Sequence, residues 1–468
     1  RAGADYGTSI LYRNLGDGRF APLDLGIDEA HLRFNWAGSF GDADNDGDPD
    51  LLLVNGGTAG TAKLYFYRND LRTAGRFTEV TEASGITRDT AGWWGASWAD
   101  FDADGWLDFV VTSRDRRLWL YRNVGGTGFE DVTVALGVGD QARWDAHNPV
   151  WLDYDADGDP DLYVSGLLET FLYRNDGAAG FVDVSGAVAV LNQSATGVEV
   201  PFVFSAAAED FNQDGLDDLY LGCWSYQDRV LLNRGDGTFA PLGPEAGLDM
   251  VSGDALFDLA SGVPFRPEDN ENTMGLMVGD IDDDGAPDVL IGTGNPSYRY
   301  PDLVFCNDTV DGGPLTFRRC GGFVAAGHGD SQTHGIALGD ADRDGDTDIF
   351  YSTGGMSVSG GAPIADGSRS FDAFYRREPA DRGATAVVRL EGTRSNRDAI
   401  GATVRVEAGR IRFYTARSTQ GFQSQNSSWM VLSLGDAAYG DATVAWPSGA
   451  ECRIRLFAGE RLRVFEVD

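Results

Sequence analysis

Residues 42–54 read DADNDGDPDLLLV, a segment in which aspartates alternate around one glycine and give way to a run of leucines. The same pattern returns five more times along the chain. The copies read DFDADGWLDFVV from residue 100, DYDADGDPDLYV from residue 153, DFNQDGLDDLYL from residue 210, DIDDDGAPDVLI from residue 280 and DADRDGDTDIFY from residue 340. A period of roughly 50 to 70 residues is typical of a repeat architecture, in which each unit is a small sheet that cannot bury its own faces.

Each copy has the ligand spacing of a calcium loop. Ca²⁺ takes about six to eight oxygen ligands, and side chains at positions 1, 3, 5 and 9 with the carbonyl of position 7 can wrap one ion if position 6 turns sharply. An EF-hand has glutamate at position 12, whereas this chain has apolar or aromatic residues there, from Leu53 to Tyr351, so the loop joins two β-strands. Position 6 is glycine in every copy: Gly47, Gly105, Gly158, Gly215, Gly285 and Gly345.

The pattern therefore predicts about six structural Ca²⁺ sites, one in each loop. Acidic turns that merely solubilise hairpins are the alternative, but turns do not need so many carboxylates in a fixed register. Equivalent copies also favour a structural role over a catalytic one. The predicted ligands, with position 7 supplying its carbonyl oxygen, are Asp42, Asp44, Asp46, Asp48, Asp50, Asp100, Asp102, Asp104, Trp106, Asp108, Asp153, Asp155, Asp157, Asp159, Asp161, Asp210, Asn212, Asp214, Leu216, Asp218, Asp280, Asp282, Asp284, Ala286, Asp288, Asp340, Asp342, Asp344, Asp346 and Asp348.

A second pattern surrounds each loop. Strands that end in YRN or a close variant, such as YFYRN at 65–69, are followed by glycine-rich turns and an aromatic strand, and Asn and Gly supply the positive φ of tight hairpins. Each repeat predicts a four-stranded antiparallel blade, and a ring of such blades is an all-β propeller. Six and seven blades stay open, with seven favoured: the hairpin at 8–24 either completes the sixth blade or begins a seventh whose inner strands come from elsewhere.

Composition limits the partners. The 468 residues carry a net charge of −36, which repels nucleic acid and anionic membranes and favours divalent cations. No apolar run is long enough for membrane insertion, and no signal peptide opens the sequence. Cys306 and Cys320 are expected within disulfide reach on one hairpin, while Cys223 and Cys452 are either free or joined. Calcium loops and a disulfide favour a secreted or periplasmic protein.

Residues 384–468 predict a second, small β-domain, because segments such as ATAVVRL and ECRIRLF alternate with period two. Its loop SNRDAIG, at 395–401, is interpreted as a turn, with Arg397 and Asp398 pairing at the junction with the propeller.

These motifs carry a family resemblance. The loops and blades, over residues 1–378, resemble the FG-GAP or VCBS repeats of integrin-α-like propellers. Residues 379–468 are similar to the ASPIC/UnbV domain of cartilage acidic protein and its bacterial relatives. The resemblance implies a secreted calcium-binding propeller with a small C-terminal β-domain. The residues that carry the second likeness are Ser395, Asn396, Arg397, Asp398, Ala399, Ile400, Gly401, Ala402, Gly421, Ser424, Gln425, Asn426, Gly435, Trp446, Pro447, Ser448 and Gly449.

The histidines indicate a binding site. All four lie in segments that lead into an inner strand: His31, His147, His328 and His334. The residues six before the first ligand of each loop are equivalent, so they are expected to ring one mouth of the central channel. This predicted ring is Trp36, Trp94, His147, Phe204, Met274 and His334. Further candidates near the mouth are Arg143, Trp144, Asp145, Asn148, Asn272 and Gln332.

Several interpretations of this mouth stay open. In the plainest, the large side chains plug the channel; in the favoured one, they bind a small-molecule, glycan or protein ligand, because loops from every blade converge there. Catalysis of lyase, dehydratase or cyclase type, a transition metal on the histidines and adhesion to a protein are the alternatives. The segment 244–272, with a short helix expected at 250–259, is predicted to be a lid or a partner-binding loop. The predicted acid–base residues are His147, His334, His328, His31, Arg143 and Asp145.

Overall fold

The structure, a computed structural model, describes residues 9–32, 35–56, 63–86, 92–113, 117–138, 146–166, 170–186, 203–223, 228–248, 273–293, 302–309, 313–321, 332–354, 372–377, 383–422 and 424–467. They form β-strands joined by turns, with short 3₁₀ turns at Gly177–Ala179 and Pro244–Ala246. In this part of the chain, no helix is long and apolar enough to cross a membrane. The helix expected at 250–259 lies outside the described residues.

The blades follow the predicted order, with each strand antiparallel to the next along the chain. Blade one contains β3 (Asn35–Gly41), β4 (Asp50–Asn55), β5 (Leu64–Asp70) and β6 (Arg76–Glu79), and blade two β7 (Trp93–Ala99), β8 (Asp108–Ser113), β9 (Arg117–Asn123) and β10 (Phe129–Asp131). Blade three contains β11 (Ala146–Leu152), β12 (Asp161–Gly166), β13 (Phe171–Asn175) and β14 (Phe181–Asp183), and blade four β15 (Val203–Glu209), β16 (Asp218–Cys223), β17 (Arg229–Asn233) and β18 (Phe239–Leu242). Blade five contains β19 (Thr273–Gly279), β20 (Asp288–Thr293), β21 (Leu303–Asn307) and β22 (Phe317–Arg319), and blade six β23 (Gln332–Gly339), β24 (Asp348–Gly354) and β25 (Ala373–Tyr375). The all-β propeller prediction is confirmed.

Neighbouring blades bury each other's faces. The second strand of a blade is covered on both sides, and every residue of β8 is buried, which is why these strands are nearly continuous apolar runs. Between blades one and two, Leu52 packs in one cluster with Trp98 and Phe109. Matching clusters lie between the later blades.

In blades two to five, an asparagine at the end of the third strand ties the blade to the preceding one. The side-chain amide of Asn123 donates to the carbonyl oxygens of Ala43 in blade one and Leu107 in its own blade, at 2.8 and 3.0 Å. Asn175, Asn233 and Asn307 repeat this inter-blade bond. The repeated YRN motif therefore has a structural cause, since its Asn satisfies a carbonyl of the neighbouring loop.

The N-terminal hairpin takes the place of a seventh blade. It consists of β1 (Tyr12–Asn14) and β2 (Phe20–Pro22), which pair with each other. Asn14 donates to the carbonyl oxygen of Ala341 in the loop of blade six at 2.8 Å, which is the same inter-blade bond. The hairpin is therefore the outer half of a blade that follows blade six, rather than the missing strand of blade six.

The cysteines of blade five agree with the sequence. Cys306 in β21 and Cys320 just after β22 form a disulfide. Cys223, which is buried, and Cys452 are not joined by a disulfide.

The C-terminal residues form two packed sheets. Their strands are β26 (Ala384–Glu391), β27 (Thr403–Ala408), β28 (Arg410–Thr415), β29 (Met430–Gly435), β30 (Tyr439–Ala445), β31 (Glu451–Phe457) and β32 (Arg461–Phe465). One sheet has the order β29–β26–β32 and the other β28–β27–β30–β31. The predicted β-character is correct, but β29 and β32 were not among the expected strands.

The C-terminal domain sits on the face of the propeller that carries the acidic loops. Asp42 N donates to Asp398 Oδ2 at 2.8 Å, and Arg397 N donates to Asn45 Oδ1 at 3.0 Å. Further bonds reach the loops of blades four, five and six. Two bonds to the acidic loop of blade one, from Arg397 and Asp398, thus join the loop SNRDAIG to the propeller. The sequence predicted instead that Arg397 and Asp398 pair with each other.

One segment of this domain enters the channel. We call residues 416–422 and 424–429, between β28 and β29, the channel loop. Inner strands turn one edge toward the axis, where backbone groups need partners. Ser418 Oγ bonds both N and O of Trp98, at 3.0 and 2.6 Å, and the Gln425 side chain bonds both N and O of Phe40 at 2.8 Å. The channel loop therefore satisfies strand edges that the propeller leaves open.

We expect Arg417 of the channel loop to be a principal anchor. Its side chain is 7% exposed, pairs with Glu209 and Asp217, and donates to Trp151 O at 3.2 Å. Arg417→Ala leaves the buried Glu209 and the half-buried Asp217 without this cation, so we expect a loss of about 3–5 kcal/mol of unfolding free energy, measured by denaturant unfolding.

The matched control is Arg455→Ala, which breaks an ion pair with Asp441 whose side chains are 54% and 61% exposed. Such solvent-exposed pairs contribute little to stability, so the unfolding free energy of this variant should stay close to that of the unaltered protein. Equal, small losses in both variants would contradict the anchoring role of Arg417.

Candidate metal loops and channel mouth

The acidic loops share one backbone conformation. The residue at position 4 is left-handed in every loop, with φ between 55° and 66°, and the glycine at position 6 has φ between 88° and 96°. A non-glycine residue in this region is uncommon and persists where its surroundings hold it. The position 4 residues are Asn45, Ala103, Ala156, Gln213, Asp283 and Arg343.

The loop carboxylates at positions 1 and 9 also hold the fold. In blade one, Asp42 Oδ2 accepts from Gly47 N at 2.7 Å. Asp50 accepts from Ala43 N at 3.1 Å with one oxygen and from Asn69 N at 2.8 Å with the other. The position 9 bonds recur in every blade. These aspartates therefore close the turn and attach it to the third strand.

Other oxygens of the same loops are buried without a hydrogen bond. Within the described residues, this holds for one oxygen each of Asp42, Asp155, Asp280, Asp282 and Asp340. A buried carboxylate oxygen without a partner costs free energy that a bound cation recovers. The oxygens of Asp42, Asp44 and Asp46 lie within 4.8 Å of one another, and similar groups occur in blades two, three and five. An all-oxygen set of this kind fits Ca²⁺.

Electrostatics agree with this fit. Burial raises the pKa of Asp42 to about 7, and the charge of Asp398 adds to the effect. Burial also raises the pKa of Asp50 to about 8 and that of Asp218 to about 9. Without a cation these carboxyl groups would be partly protonated near neutral pH, whereas a bound divalent ion would favour their ionised form.

The predicted ring assembles at a repeated irregularity of the inner strands. In each blade, the pairing of the first two strands shifts by a β-bulge, and the ring residue lies within the shift. A bulge re-aims a side chain. The ring residues lie at a constant distance of six residues before each acidic loop, and this spacing was enough to identify them as equivalent. The bulge that contains them could not be predicted from the sequence.

Aromatic contacts join the ring. The Trp36 ring lies 5.0 Å from that of Trp94 and 6.2 Å from that of His334, between centroids. His147 stacks on Trp94 at 4.6 Å and meets Phe204 edge-on at 4.9 Å. Along the ring, His147 and His334 are thus separated by two indoles.

Phe422 of the channel loop fills this ring. Its side chain is fully buried, packs with Trp94, Phe204 and Met274, and its ring centroid lies 4.6 Å from that of Phe204. At the preceding Gly421, a Cβ would collide with the carbonyl oxygen of Leu276. Sequence reasoning missed this role; the available signal was an aromatic residue directly after glycine, within the otherwise polar stretch 417–428.

The remaining candidates are distributed as follows. His31 stacks on Tyr65 at 3.7 Å and its Nδ1 lies 2.6 Å from the Tyr67 hydroxyl, on blade one. Asn148 is buried and accepts from Ala206 N of blade four at 2.9 Å, so it joins two blades. Burial lowers the pKa of His334 to about 4, so its imidazole is neutral at pH 7. Gln332 begins β23, and its side chain is outside the described part, as are Arg143, Trp144, Asp145, Asn272 and His328.

Trp36 and His334 face a cleft that opens between blades six and one and continues under the C-terminal domain. Its volume is about 1840 Å³, and its lining includes Phe40, Phe350 and the β1 residue Tyr12 as well as Asp280 of blade five and Phe413 of β28. The other ring residues are buried: Trp94, His147, Phe204 and Met274. Access to the ring therefore lies on the side of Trp36 and His334.

The fold and these loops define a β-propeller whose acidic turns resemble cation-binding loops, with a small β-domain packed on the face that carries them. The FG-GAP-like repeat family matches residues 42–111, 100–164 and 210–291, and the ASPIC and UnbV family matches residues 392–466. The chain therefore contains FG-GAP-like repeats followed by an ASPIC and UnbV domain, as the sequence resemblance implied.

The solved structures that this chain resembles share little sequence identity with it. An Agrocybe aegerita lectin that recognises non-reducing terminal N-acetylglucosamine is 20% identical over 67% of this chain and 75% of its own, with a TM-score of 0.40. A V. cholerae biofilm matrix protein is 11% identical over 95% of this chain and 62% of its own, with a TM-score of 0.39. No curated protein matches the sequence.

We expect Phe422→Ala to destabilise the propeller and its cap together. Truncating a buried phenylalanine costs about 3–5 kcal/mol, and here it opens a hole beside Trp94. Thermal unfolding should show a clearly lower midpoint, and acrylamide should quench tryptophan fluorescence more strongly.

Phe457→Ala serves as the control, because Phe457 is 52% exposed and surface changes cost about 0.5 kcal/mol or less. If Phe422→Ala behaved like Phe457→Ala in both measurements, Phe422 would not be the plug of the ring.

Proposed function

We propose that this protein is a secreted or periplasmic calcium-binding propeller that works as an interaction module. The observation that carries the calcium part is the repeated loop, in which a left-handed residue and a glycine bring carboxylates together. In blades one, three, five and six the loop also has buried carboxylate oxygens that lack hydrogen bonds. The residues at positions 1, 3, 5 and 9 would hold the ion with the carbonyl of position 7. Bound calcium would neutralise part of the net charge of −36.

The proposed ligand site is the cleft beside Trp36 and His334. The sequence predicts a ligand site at the whole ring, but Phe422 covers the side of Phe204 and Met274. The cleft lining keeps one aromatic and one imidazole group of the ring together with the exposed Phe40. Concave surfaces between blades, with apolar walls and few polar groups, are typical of binding sites.

The histidines support binding better than acid–base catalysis. His147 is 2% exposed and lies against Trp94 and Phe204, which favours a packing role. His334, neutral at pH 7, retains the capacity to accept a hydrogen bond or to bind a metal. A transition metal on this imidazole remains the alternative that metal analysis can detect.

Secretion is proposed on two grounds. Cys306 and Cys320 form a disulfide, and disulfides persist mainly in oxidising compartments. Calcium loops of extracellular modules are often weak and fill where calcium is abundant.

We expect chelation to lower the melting temperature substantially. An ion that binds only the folded state adds about 2.7 kcal/mol per site when its free concentration is 100-fold above Kd. The measurement is thermal unfolding in calcium, in chelator, and after calcium is restored. An unchanged melting curve in chelator would contradict the calcium sites.

Paired variants of blade three sharpen the test. Asp155 is a position 3 ligand with one buried oxygen that lacks a hydrogen bond, whereas position 7, Asp159, would bind through its carbonyl. Mass spectrometry should count one calcium fewer in Asp155→Ala and an unchanged number in Asp159→Ala. Zinc or another transition metal near one per chain would instead support the histidine alternative.

A further inference from the structure

The acidic loop of blade six, residues 340–348, differs from the other five in how its first carboxylate is held. In blades one to five, the aspartate at position 1 accepts a hydrogen bond from the glycine N–H at position 6, at 2.7–3.0 Å. Within the described residues of blade six, Asp340 Oδ2 accepts instead from the guanidinium of Arg461, at the start of β32. The C-terminal domain therefore supplies a cation to this loop.

Asp340 is buried, and only one of its oxygens has a hydrogen bond. Its side chain is 1% exposed, and its second oxygen, Oδ1, is buried without a hydrogen bond. A further cation would recover the free energy that this oxygen costs. However, two cations on one carboxylate would lie close together and repel each other. An ion in this loop would therefore compete with Arg461 for the charge of Asp340.

Arg461 is held in place from two sides. Its guanidinium carbon lies 4.1 Å from the centroid of the Trp429 ring, which is a cation–π contact. Its backbone belongs to β32, which pairs with β26, and Thr385 of β26 donates to the carbonyl oxygen of Gly345 at 2.8 Å. The ion pair between Arg461 and Asp340 is therefore one part of a wider contact between the C-terminal domain and blade six.

Other arginines of the C-terminal domain that reach the acidic face avoid the predicted ligand carboxylates. Arg412 donates to the main-chain oxygen of Asp284, at 2.9 and 3.1 Å. Arg417 pairs with carboxylates outside the predicted ligand set. Among the described contacts of this domain, the bond from Arg461 is thus the one in which a guanidinium holds a carboxylate at position 1, 3, 5 or 9.

At the loop of blade one, the same domain places the opposite charge. Asp398, whose side chain is 11% exposed, accepts from Asp42 N at 2.8 Å, so a further carboxylate lies beside this loop. A nearby carboxylate strengthens the binding of a cation, whereas a fixed cation weakens it. We therefore expect the loop of blade one to bind calcium more tightly than the loop of blade six.

We propose that Arg461 competes with calcium for Asp340 and makes the loop of blade six the weakest of the six calcium sites. This role rests on the proposed calcium function and names how one of its sites is regulated. The other loops would hold calcium as a structural ion, whereas this loop would fill only at higher free calcium and would then displace the guanidinium from Asp340. Because Arg461 joins the two domains, the occupancy of this one loop would alter the contact between the C-terminal domain and blade six.

The test follows the release of calcium from the full chain. Protein loaded with calcium is dialysed against steps of lower free calcium, and mass spectrometry counts the calcium that remains per chain. In the unaltered protein, about one calcium per chain should leave at a free calcium concentration about tenfold or more above that at which the others leave. Arg461→Met keeps an apolar side chain without the charge, so this first loss should move to about tenfold lower free calcium.

Three further variants control the test. Arg455→Met removes an arginine of the same domain that pairs with Asp441 outside the acidic loops, and it should leave the first loss unchanged. Trp429→Leu retains both charges and removes the ring beside Arg461, so the first loss should move in the same direction by about two- to fivefold. Asp340→Ala should lack this calcium, and adding Arg461→Met to it should then have no further effect.

The outcomes separate this role from the calcium function. If the first loss occurs at the same free calcium in Arg461→Met and in the unaltered protein, or if the shift persists in the Asp340→Ala background, the proposal is overturned while the calcium function stands. If neither protein binds calcium, the proposed function fails as well. Melting curves in saturating calcium show which variants fold; if Arg461→Met does not, Trp429→Leu decides, and an unmoved first loss in that variant overturns the proposal.

Discussion

No blade of this protein can bury its own faces, and the rest of the structure follows from that constraint. The second strands are apolar on both sides, so each needs a neighbour on its left and right. Where two complete blades meet, Leu52, Trp98 and Phe109 share one core. Where the seventh position lacks its inner strands among the described residues, Phe40 and Phe350 are exposed to solvent. The same physical requirement therefore explains both the core and the cleft.

The acidic loops combine two roles that usually belong to different residues. Asp50 closes its own turn and fastens the third strand through backbone hydrogen bonds, while other carboxylate oxygens remain buried and suited to a cation. The C-terminal domain then docks on these loops through Asp398 and Asn45. Loop conformation, cation affinity and domain docking consequently depend on the same few residues.

The channel is closed by side-chain hydrogen bonds, whereas the blades themselves are held by backbone pairing between strands. Inner strands present a backbone edge to the axis, and polar side chains of the channel loop form hydrogen bonds to these edges. Ser418 and Gln425 each bond an N–H and a carbonyl of one residue. Phe422 completes the plug by packing into the aromatic ring. The mouth that looked open from the sequence is thus largely covered by the chain itself, and only the side of Trp36 and His334 borders the cleft.

The repeat, the blade order and the strand-flanked loops could be predicted from the sequence, because each depends on local spacing that recurs along the chain. The Cys306–Cys320 disulfide could be predicted because both residues were expected on one hairpin. The sequence also identified the ring residues as equivalent, since all lie six residues before a loop. Tertiary structure alone decided that Phe422 enters this ring, that Asn14 marks a seventh blade position, and that His31 lies against Tyr65. These contacts join residues far apart in sequence and carry no period. Local spacing in the sequence shows which residues occupy equivalent positions in the repeats. The packing of distant segments decides which of these residues come into contact.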